Sequence, residues 1–161
     1  MLLDEFDAIQ NPALGAILIW RAVCGYYSES SNVDAAPATL AFIVLPLVFN
    51  EDLREVIGKT FKSSGIRKFE SKFQKQVDLL FSIQDRADAM LDLSRRSLAI
   101  SISSGLVTLT PATATLSPRT KTMPAAQTLG IPELTSAAEK IGIWAQQISL
   151  RELCSALRLE L

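Results

Sequence analysis

Between Asn11 and Ser28 the sequence carries a single charge, that of Arg21, and this feature constrains the fold most. Asn11 followed by Pro12 favours a helix start, because asparagine accepts hydrogen bonds from the first free amides and proline suits the first helical position. The segment therefore predicts a helix from about Pro12 to Tyr27. A helix that is apolar on nearly every face has to be enclosed by its own fold or by another chain, so we expect it at the centre.

A second apolar run, Thr39–Phe49, follows a polar loop at residues 28–37. Its composition would suit a strand, but Pro46 has no amide hydrogen to give to a sheet. We therefore predict a buried helix of about three turns that ends or kinks near Pro46. Asn50 then caps a short helix over Glu51–Ile57, whose acidic first turn suits the helix dipole.

Helical periodicity continues through the middle of the chain. It predicts an amphipathic helix between Ile66 and Ile83, and a further one from about Gln84 to Ser101 that ends at Gly105. The apolar stripe of the first is formed by Ile66, Phe69, Phe73, Val77 and Leu80. The weaker stripe of the second is formed by Ala87, Met90, Leu91, Leu98 and Ile102.

The remainder predicts a β-hairpin over residues 106–117, an exposed linker over 118–130 and helices over 131–161. Ser149 and Glu152 form a capping box at the start of the last helix. The expected fold class is therefore mainly α: one compact helical domain, 1–161, with a short β-hairpin. Helices followed by a hairpin are the ingredients of a winged-helix-like arrangement, although the ingredients do not fix the topology.

The absence of histidine excludes His-based acid–base catalysis, catalytic dyads with histidine and imidazole metal ligands. Cys24 and Cys154 stand alone and do not form the close pairs of a zinc site; we interpret them as small apolar residues, with a disulfide between them left open. No glycine-rich phosphate loop is present. We expect no enzyme activity, no cofactor and no metal.

Hydrophobic residues make up 48% of the chain and charged residues 20%. The mean hydropathy is +0.24. This apolar content predicts either a surface that meets a partner or a well-filled core, and we favour the partner. Asp4, Glu5 and Asp7 stand where a signal peptide would be basic, and neither apolar run reaches the ~20 residues of a membrane span. We expect a cytoplasmic protein.

The net charge of −1 predicts no general affinity for nucleic acid, yet positive charge gathers in one segment. Between residues 59 and 75, six basic residues stand against Glu70, which gives 6 − 1 = +5, and Phe61, Phe69 and Phe73 are interleaved. These basic residues are candidate DNA contacts: Lys59, Lys62, Arg67, Lys68, Lys72 and Lys75. The alternative is a solvated helix face whose phenylalanines point into the core.

Three segments together resemble a known family. They are the residues 11–16 that open the first helix (NPALGA), residues 44–49 (VLPLVF) with Arg54-Glu55 after them, and residues 137–144 (AAEKIGIW). In order and spacing they are similar to the middle component of bacterial three-component ABC-ATPase systems, the group that includes Lamassu-type antiviral defence. The likeness runs from about Asn11 to Leu157.

The resemblance implies an adaptor without catalytic activity, encoded beside an SMC-like ATPase and an effector that is commonly a nuclease. Such an adaptor would couple the state of the ATPase, on meeting foreign DNA, to the effector. Apolar residues of the predicted helices are then candidates for the partner interface: Leu14, Leu18, Phe42, Leu45, Leu47, Ile141, Trp144, Leu153 and Leu157. The alternative hypothesis is a winged-helix nucleic-acid-binding protein that uses the basic segment.

Overall fold

The computed structural model describes residues 11–121 and 132–161. The fold is mainly helical with a small three-stranded antiparallel sheet, which confirms the predicted fold class. In chain order the elements are α1 (Pro12–Glu29), β1 (Ala36–Pro37), α2 (Ala41–Val48), α3 (Glu51–Gly58), α4 (Gly65–Ser71), α5 (Val77–Ala89), α6 (Leu91–Ser103), β2 (Val107–Thr110), β3 (Thr115–Pro118), α7 (Pro132–Gln147) and α8 (Leu150–Leu157). Short 3₁₀ turns occupy Ala38–Leu40 and Lys62–Ser64.

Helix α1 is the central element, as its lack of charge predicts. The side chain of Asn11 accepts hydrogen bonds from the amides of Ala13 and Leu14, so the predicted N-cap is confirmed. Every residue from Leu14 to Gly25 except Arg21 is buried. The helix packs mainly against α7 and α6, so its apolar faces are enclosed within the chain itself.

The backbones of α1 and α7 approach each other closely where two glycines lie. A Cβ atom added to Gly142 would fall 1.9 Å from the carbonyl oxygen of Ala22, and one added to Gly25 would fall 2.4 Å from that of Glu139. Nearby, the guanidinium of Arg21 forms an ion pair of 2.8 Å with the carboxylate of Glu139. The two helices are therefore in contact along their backbones, and no larger residue fits at either glycine without moving one of them.

The second apolar run forms a buried helix, as predicted, and α2 ends two residues after Pro46. Asn50 accepts a hydrogen bond from the amide of Leu53 and caps α3, which confirms the short acidic helix there. Ser149 similarly accepts from the amide of Glu152 at the start of α8. These caps follow from side chains within three residues of the amides that they bind.

The prediction of a single helix between Ile66 and Ile83 is wrong. Helix α4 ends at Ser71, a series of turns follows, and α5 begins at Val77. The break lets the ring of Phe73 pack edge-on against Phe69, with ring centroids 4.9 Å apart. Ile66, Phe69, Phe73 and Leu80 of the apolar stripe are buried, whereas Val77, the first residue after the break, is 45% exposed. Periodicity alone does not reveal the break. The next predicted helix is also divided, at Met90 between α5 and α6.

Helix α6 faces the core with serines rather than with its predicted apolar stripe. Ser94, Ser97 and Ser101 are buried, whereas Leu91 is 39% exposed and Leu98 and Ile102 are half-buried. The hydroxyl of Ser101 donates to the carbonyl oxygen of Ala16, and a Cβ on Gly15 would lie 2.1 Å from the Ser97 hydroxyl. Small side chains are required on this face because the axes of α1 and α6 are close.

The predicted hairpin is confirmed by β2 and β3, and Gly105 precedes it with a positive φ of +79°, as a helix-ending glycine should. Strand β1 was not predicted: it lies inside the predicted loop 28–37 and pairs with β3, so that the strand order is β1–β3–β2. Five helices separate β1 from the hairpin, and the likeness to a winged helix is limited to the sheet. Most of the predicted linker, residues 122–130, lies outside the described residues, as does residue 131 of the predicted C-terminal helices.

Candidate interaction surfaces

The residues nominated for the partner interface lie almost entirely in the core of the chain. Phe42 is half-buried. The other eight are at most 5% exposed: Leu14, Leu18, Leu45, Leu47, Ile141, Trp144, Leu153 and Leu157. These eight side chains contact neighbouring helices within the chain, so the side chains that this fold exposes to a partner are other ones. Their part in a partner interface stays a prediction. The high apolar content of the sequence is to that extent accounted for by the core.

Three of the six candidate DNA contacts form ion pairs within the chain. Lys59 pairs with Glu55 at 2.8 Å, which lowers the pKa of the Glu55 carboxyl through that hydrogen bond and charge. Lys62 approaches Glu139 at 3.5 Å. Arg67 pairs with Glu70 at 3.1 Å.

Of the other three candidates, the side chains of Lys68 and Lys75 form no ion pair or hydrogen bond with residues 11–121 and 132–161. The ammonium of Lys72 instead donates to the carbonyl oxygen of Lys59 at 2.9 Å and to the hydroxyl of Thr60 at 2.8 Å. The structure therefore divides the basic segment into free, paired and backbone-bound side chains.

Two lysines from different parts of the chain meet at the C-terminal end of α3. Lys140 of α7 donates to the carbonyl oxygens of Ile57 and Gly58, both at 3.1 Å, while Lys72 occupies the next carbonyl. The last carbonyls of a helix lack intrahelical partners and carry its negative dipole end, so cations are stabilising there. Desolvation by burial, then repulsion from Lys62 and Lys72, lowers the pKa of Lys140.

The three phenylalanines of the basic segment occupy different environments. Phe69 and Phe73 are at most 1% exposed, and the ring of Phe69 also packs on Trp144 with centroids 5.7 Å apart. For these two rings the core interpretation is correct. Phe61 is 77% exposed and precedes the 3₁₀ turn Lys62–Ser64. It is the phenylalanine of this segment that a ligand can reach.

A surface groove of about 570 Å³ runs between α3 and the start of α5. Lys59 and Lys75 line it, but so do three carboxylates, those of Asp52, Glu55 and Asp78. The mixture of charges gives the groove a net charge of 2 − 3 = −1. Phosphate binding is therefore disfavoured in this groove.

Apolar side chains are exposed around α8. Leu150 and Leu161 are 37% and 62% exposed and line a groove of about 710 Å³ together with Cys154. On the neighbouring helix α5, Phe81 is 56% exposed, and the guanidinium of Arg158 lies 6.0 Å from the centre of its ring. Exposed large apolar side chains of this kind are typical of surfaces that bind another protein, because covering them contributes to the binding free energy.

The cysteines are free thiols in different surroundings. Cys24 is buried, and desolvation raises its pKa to about 11. Cys154 is half-buried, and burial raises its pKa as well. Within the described ranges no group of three or more Cys, Asp or Glu side chains is placed to hold a metal ion, and no helix there is long and apolar enough to cross a membrane.

Fold and surface together define a small, mainly helical protein whose accessible features are a basic turn and apolar patches suited to binding. A family model described as ABC-three component (ABC-3C) system Middle Component 3 matches residues 1–161, and the chain belongs to that family. The resemblance to the middle component of three-component ABC systems is thereby confirmed at the level of the family. Neither the curated proteins nor the solved structures contain a match to this chain.

Sequence analysis missed Lys140, because it lies about eighty residues beyond the segment that it joins. No local pattern marks it. The exposure of Phe61 did have a signal: it precedes the stripe that begins at Ile66 and continues at Phe69, so it does not share the buried face of the predicted helix.

Proposed function

We propose that this protein is a non-catalytic adaptor that couples an SMC-like ABC ATPase to an effector, most simply a nuclease, in a Lamassu-type antiviral defence system. The observation that carries the proposal is the match of the whole chain to the middle component of an ABC-three component system. A component of a three-component ABC system has the other components as its expected partners. The exposed leucines beside α8 and the exposed Phe81 on α5 support this, since they offer apolar area to a partner.

The proposal that the chain itself catalyses no reaction is supported by its side chains. Histidine is absent from the whole sequence. The two thiols have raised pKa values, so little of either is the reactive thiolate near neutral pH. Nucleophilic and acid–base chemistry would then reside in the ATPase and the effector.

Co-purification tests the assembly. The tagged chain is expressed with its neighbouring genes, and the recovered complex is weighed by mass photometry and identified by mass spectrometry. We expect an SMC-like ATPase and the effector in a fixed ratio with this chain. Recovery of the chain alone, from cells in which both neighbours are present and soluble, would contradict the proposal.

Surface variants test which patch carries the contact. Leu150→Glu and Phe81→Glu place a charge in each apolar patch, and Val33→Glu is the matched control, because Val33 is 75% exposed in the loop before β1. All three should fold, since each side chain is at least 37% exposed. We expect one of the first two to reduce partner recovery and the control to leave it unchanged.

Coupling is tested with the purified components. ATP hydrolysis by the ATPase and DNA cleavage by the effector are measured with and without this chain, in the presence of DNA. If the chain is an adaptor, effector activity should depend on ATP in the presence of the chain and should not depend on ATP in its absence. The chain by itself should show no turnover. Equal ATP dependence without the chain would refute the adaptor role.

A further inference from the structure

The turn that follows α3 combines an exposed aromatic ring with converging ammonium groups. The ammonium group of Lys140 donates to the carbonyl oxygens of Ile57 and Gly58. The ammonium group of Lys72 donates to the carbonyl oxygen of Lys59 and to the hydroxyl of Thr60. The following residue, Phe61, is 77% exposed. Cations from two distant helical regions therefore bind the residues that immediately precede the exposed ring in the chain.

The positive charge of this turn is only partly compensated. The cations that contact the turn or its acidic neighbours are Arg21, Lys59, Lys62, Lys72 and Lys140. The acidic partners of these cations are Glu55 and Glu139, and Glu139 is shared by Arg21 at 2.8 Å and Lys62 at 3.5 Å. Among these contacting groups the balance is 5 − 2 = +3, and because Lys59 also borders Asp52 and Asp78, the attraction to a polyanion depends on Lys62, Lys72 and Lys140.

The turn is held rigidly although its ring is exposed. The carbonyl oxygen of Lys62 accepts hydrogen bonds from the indole of Trp144 at 3.2 Å and the amide of Gln147 at 3.4 Å. Thr60 is 1% exposed, and its hydroxyl donates to the carbonyl oxygen of Val56. A rigid turn presents the ring without the loss of conformational entropy that a mobile loop would suffer on binding.

Four of the five cations counted at this turn are lysines, and this choice indicates the ligand. Lysine and glutamate are depleted from protein–protein interfaces, whereas lysine is a common partner of phosphate as a point charge. Proteins that bind single-stranded nucleic acid combine a basic surface with aromatic rings on which unpaired bases stack. A base inside a duplex has no free face for such a ring.

We propose that the turn Lys59–Lys62 is a contact site for single-stranded nucleic acid, in which Phe61 stacks on a base and Lys62, with its neighbours Lys72 and Lys140, attracts the flanking phosphates. Arg67 and Lys75 lie outside this site, in grooves lined by Glu70 and by three carboxylates respectively. Lys59 also lines the second of these grooves, so we assign the phosphate contacts to Lys62, Lys72 and Lys140 and not to Lys59. The site is smaller than the basic segment of the sequence, and it gains a residue, Lys140, from α7.

Fluorescence anisotropy with a labelled oligothymidine of about 15 nucleotides, a length suited to the sites of such proteins, tests the proposal on the full chain and on its co-purified complex. We expect Phe61→Ala to weaken binding about tenfold or more, since a stacked base contributes on that scale. Phe61→Trp should retain binding. Val33→Ala is the control, an exposed apolar side chain in the loop before β1, and should have no effect.

Charge is tested separately. Lys62→Gln should weaken binding and flatten its salt dependence, which for three phosphates on a single strand is a slope of about −2 in log K against log salt concentration. Arg95→Gln, which removes one exposed charge from α6, is the control. A duplex of the same length should bind more weakly than the single strand.

Several results would overturn the proposal. Absence of binding at low salt by both the chain and the complex would do so, as would equal affinities of Phe61→Ala and Val33→Ala. If Phe61→Ala instead abolishes recovery of protein partners while oligonucleotide binding is unchanged, the ring belongs to a protein interface. Tighter binding of the duplex, with no effect of Phe61→Ala, would point to ordinary phosphate contacts without stacking.

Discussion

Substitution of Gly142 by alanine should destabilise the fold by about 2 kcal/mol. The new Cβ would lie 1.9 Å from the carbonyl oxygen of Ala22, whereas real Cβ contacts essentially never fall below 3.0 Å, so α1 and α7 have to separate locally by about 3.0 − 1.9 = 1.1 Å. Overpacking of this kind costs about 1 to 3 kcal/mol, and the obstacle here is backbone, which favours the upper end. Alanine regains about 1 kcal/mol through its higher helix propensity.

Gly58 provides the matched control within the same chain. It is the last residue of α3, and a Cβ added there meets nothing within 4 Å. Gly58→Ala should therefore be neutral or stabilising by up to about 1 kcal/mol, because only the propensity difference remains. Gly25→Ala should also destabilise the fold, because its Cβ would lie 2.4 Å from the carbonyl oxygen of Glu139.

Thermal or urea unfolding followed by tryptophan fluorescence measures these changes. Trp20 in α1 and Trp144 in α7 are both fully buried, so the emission reports on the two helices in question. For a chain of this size, 2 kcal/mol corresponds to a fall in Tm of roughly 4 to 8 °C. If Gly142→Ala is as stable as Gly58→Ala, the close backbone contact between α1 and α7 does not exist.

Two further predictions concern buried polar groups. The hydroxyl of Ser97 is buried and has no partner in the described part of the chain, so Ser97→Ala should be neutral or stabilising by up to about 1 kcal/mol, whereas Ser101→Ala should cost about 1 kcal/mol through loss of its bond to Ala16. Urea midpoints of the two variants check this, and equal midpoints would contradict it. At pH 8 a thiol with a pKa of about 11 is thiolate in roughly one molecule in a thousand, so Cys24 should react with a thiol reagent only after unfolding. Cys154 should react first, as mass spectrometry of the labelled peptides will show, and faster labelling of Cys24 would refute its burial.

Features that depend on a few neighbouring residues could be predicted from the sequence. The caps at Asn11, Asn50 and Ser149 involve side chains and amides within three positions of one another. The hairpin and the positive φ of Gly105 are similarly local. The apolar character of α1 also predicted its central place, because a helix without a polar face is stable only when it is enclosed.

Features that depend on distant residues could not be predicted. Strand β1 is too short to leave a periodic signal and exists because β3, almost eighty positions later, supplies its hydrogen bonds. The serine face of α6 is buried because α1 approaches it closely, although hydrophobicity would place its leucines inside. Eight of the nine candidate interface residues are buried in the core of the chain. The amino-acid sequence alone does not distinguish an apolar core residue from an apolar surface residue that a partner covers.

The sequence by itself determined the chain's family, its helical character and the concentration of positive charge between Lys59 and Lys75. Tertiary structure decided how that charge is used. It paired Lys59 and Lys62 with carboxylates, bound Lys72 and Lys140 to the end of α3, and left the ring of Phe61 exposed. The physical reason is that a charge acts on groups within a few ångströms in space, and only the packing of α3, α4 and α7 sets those distances.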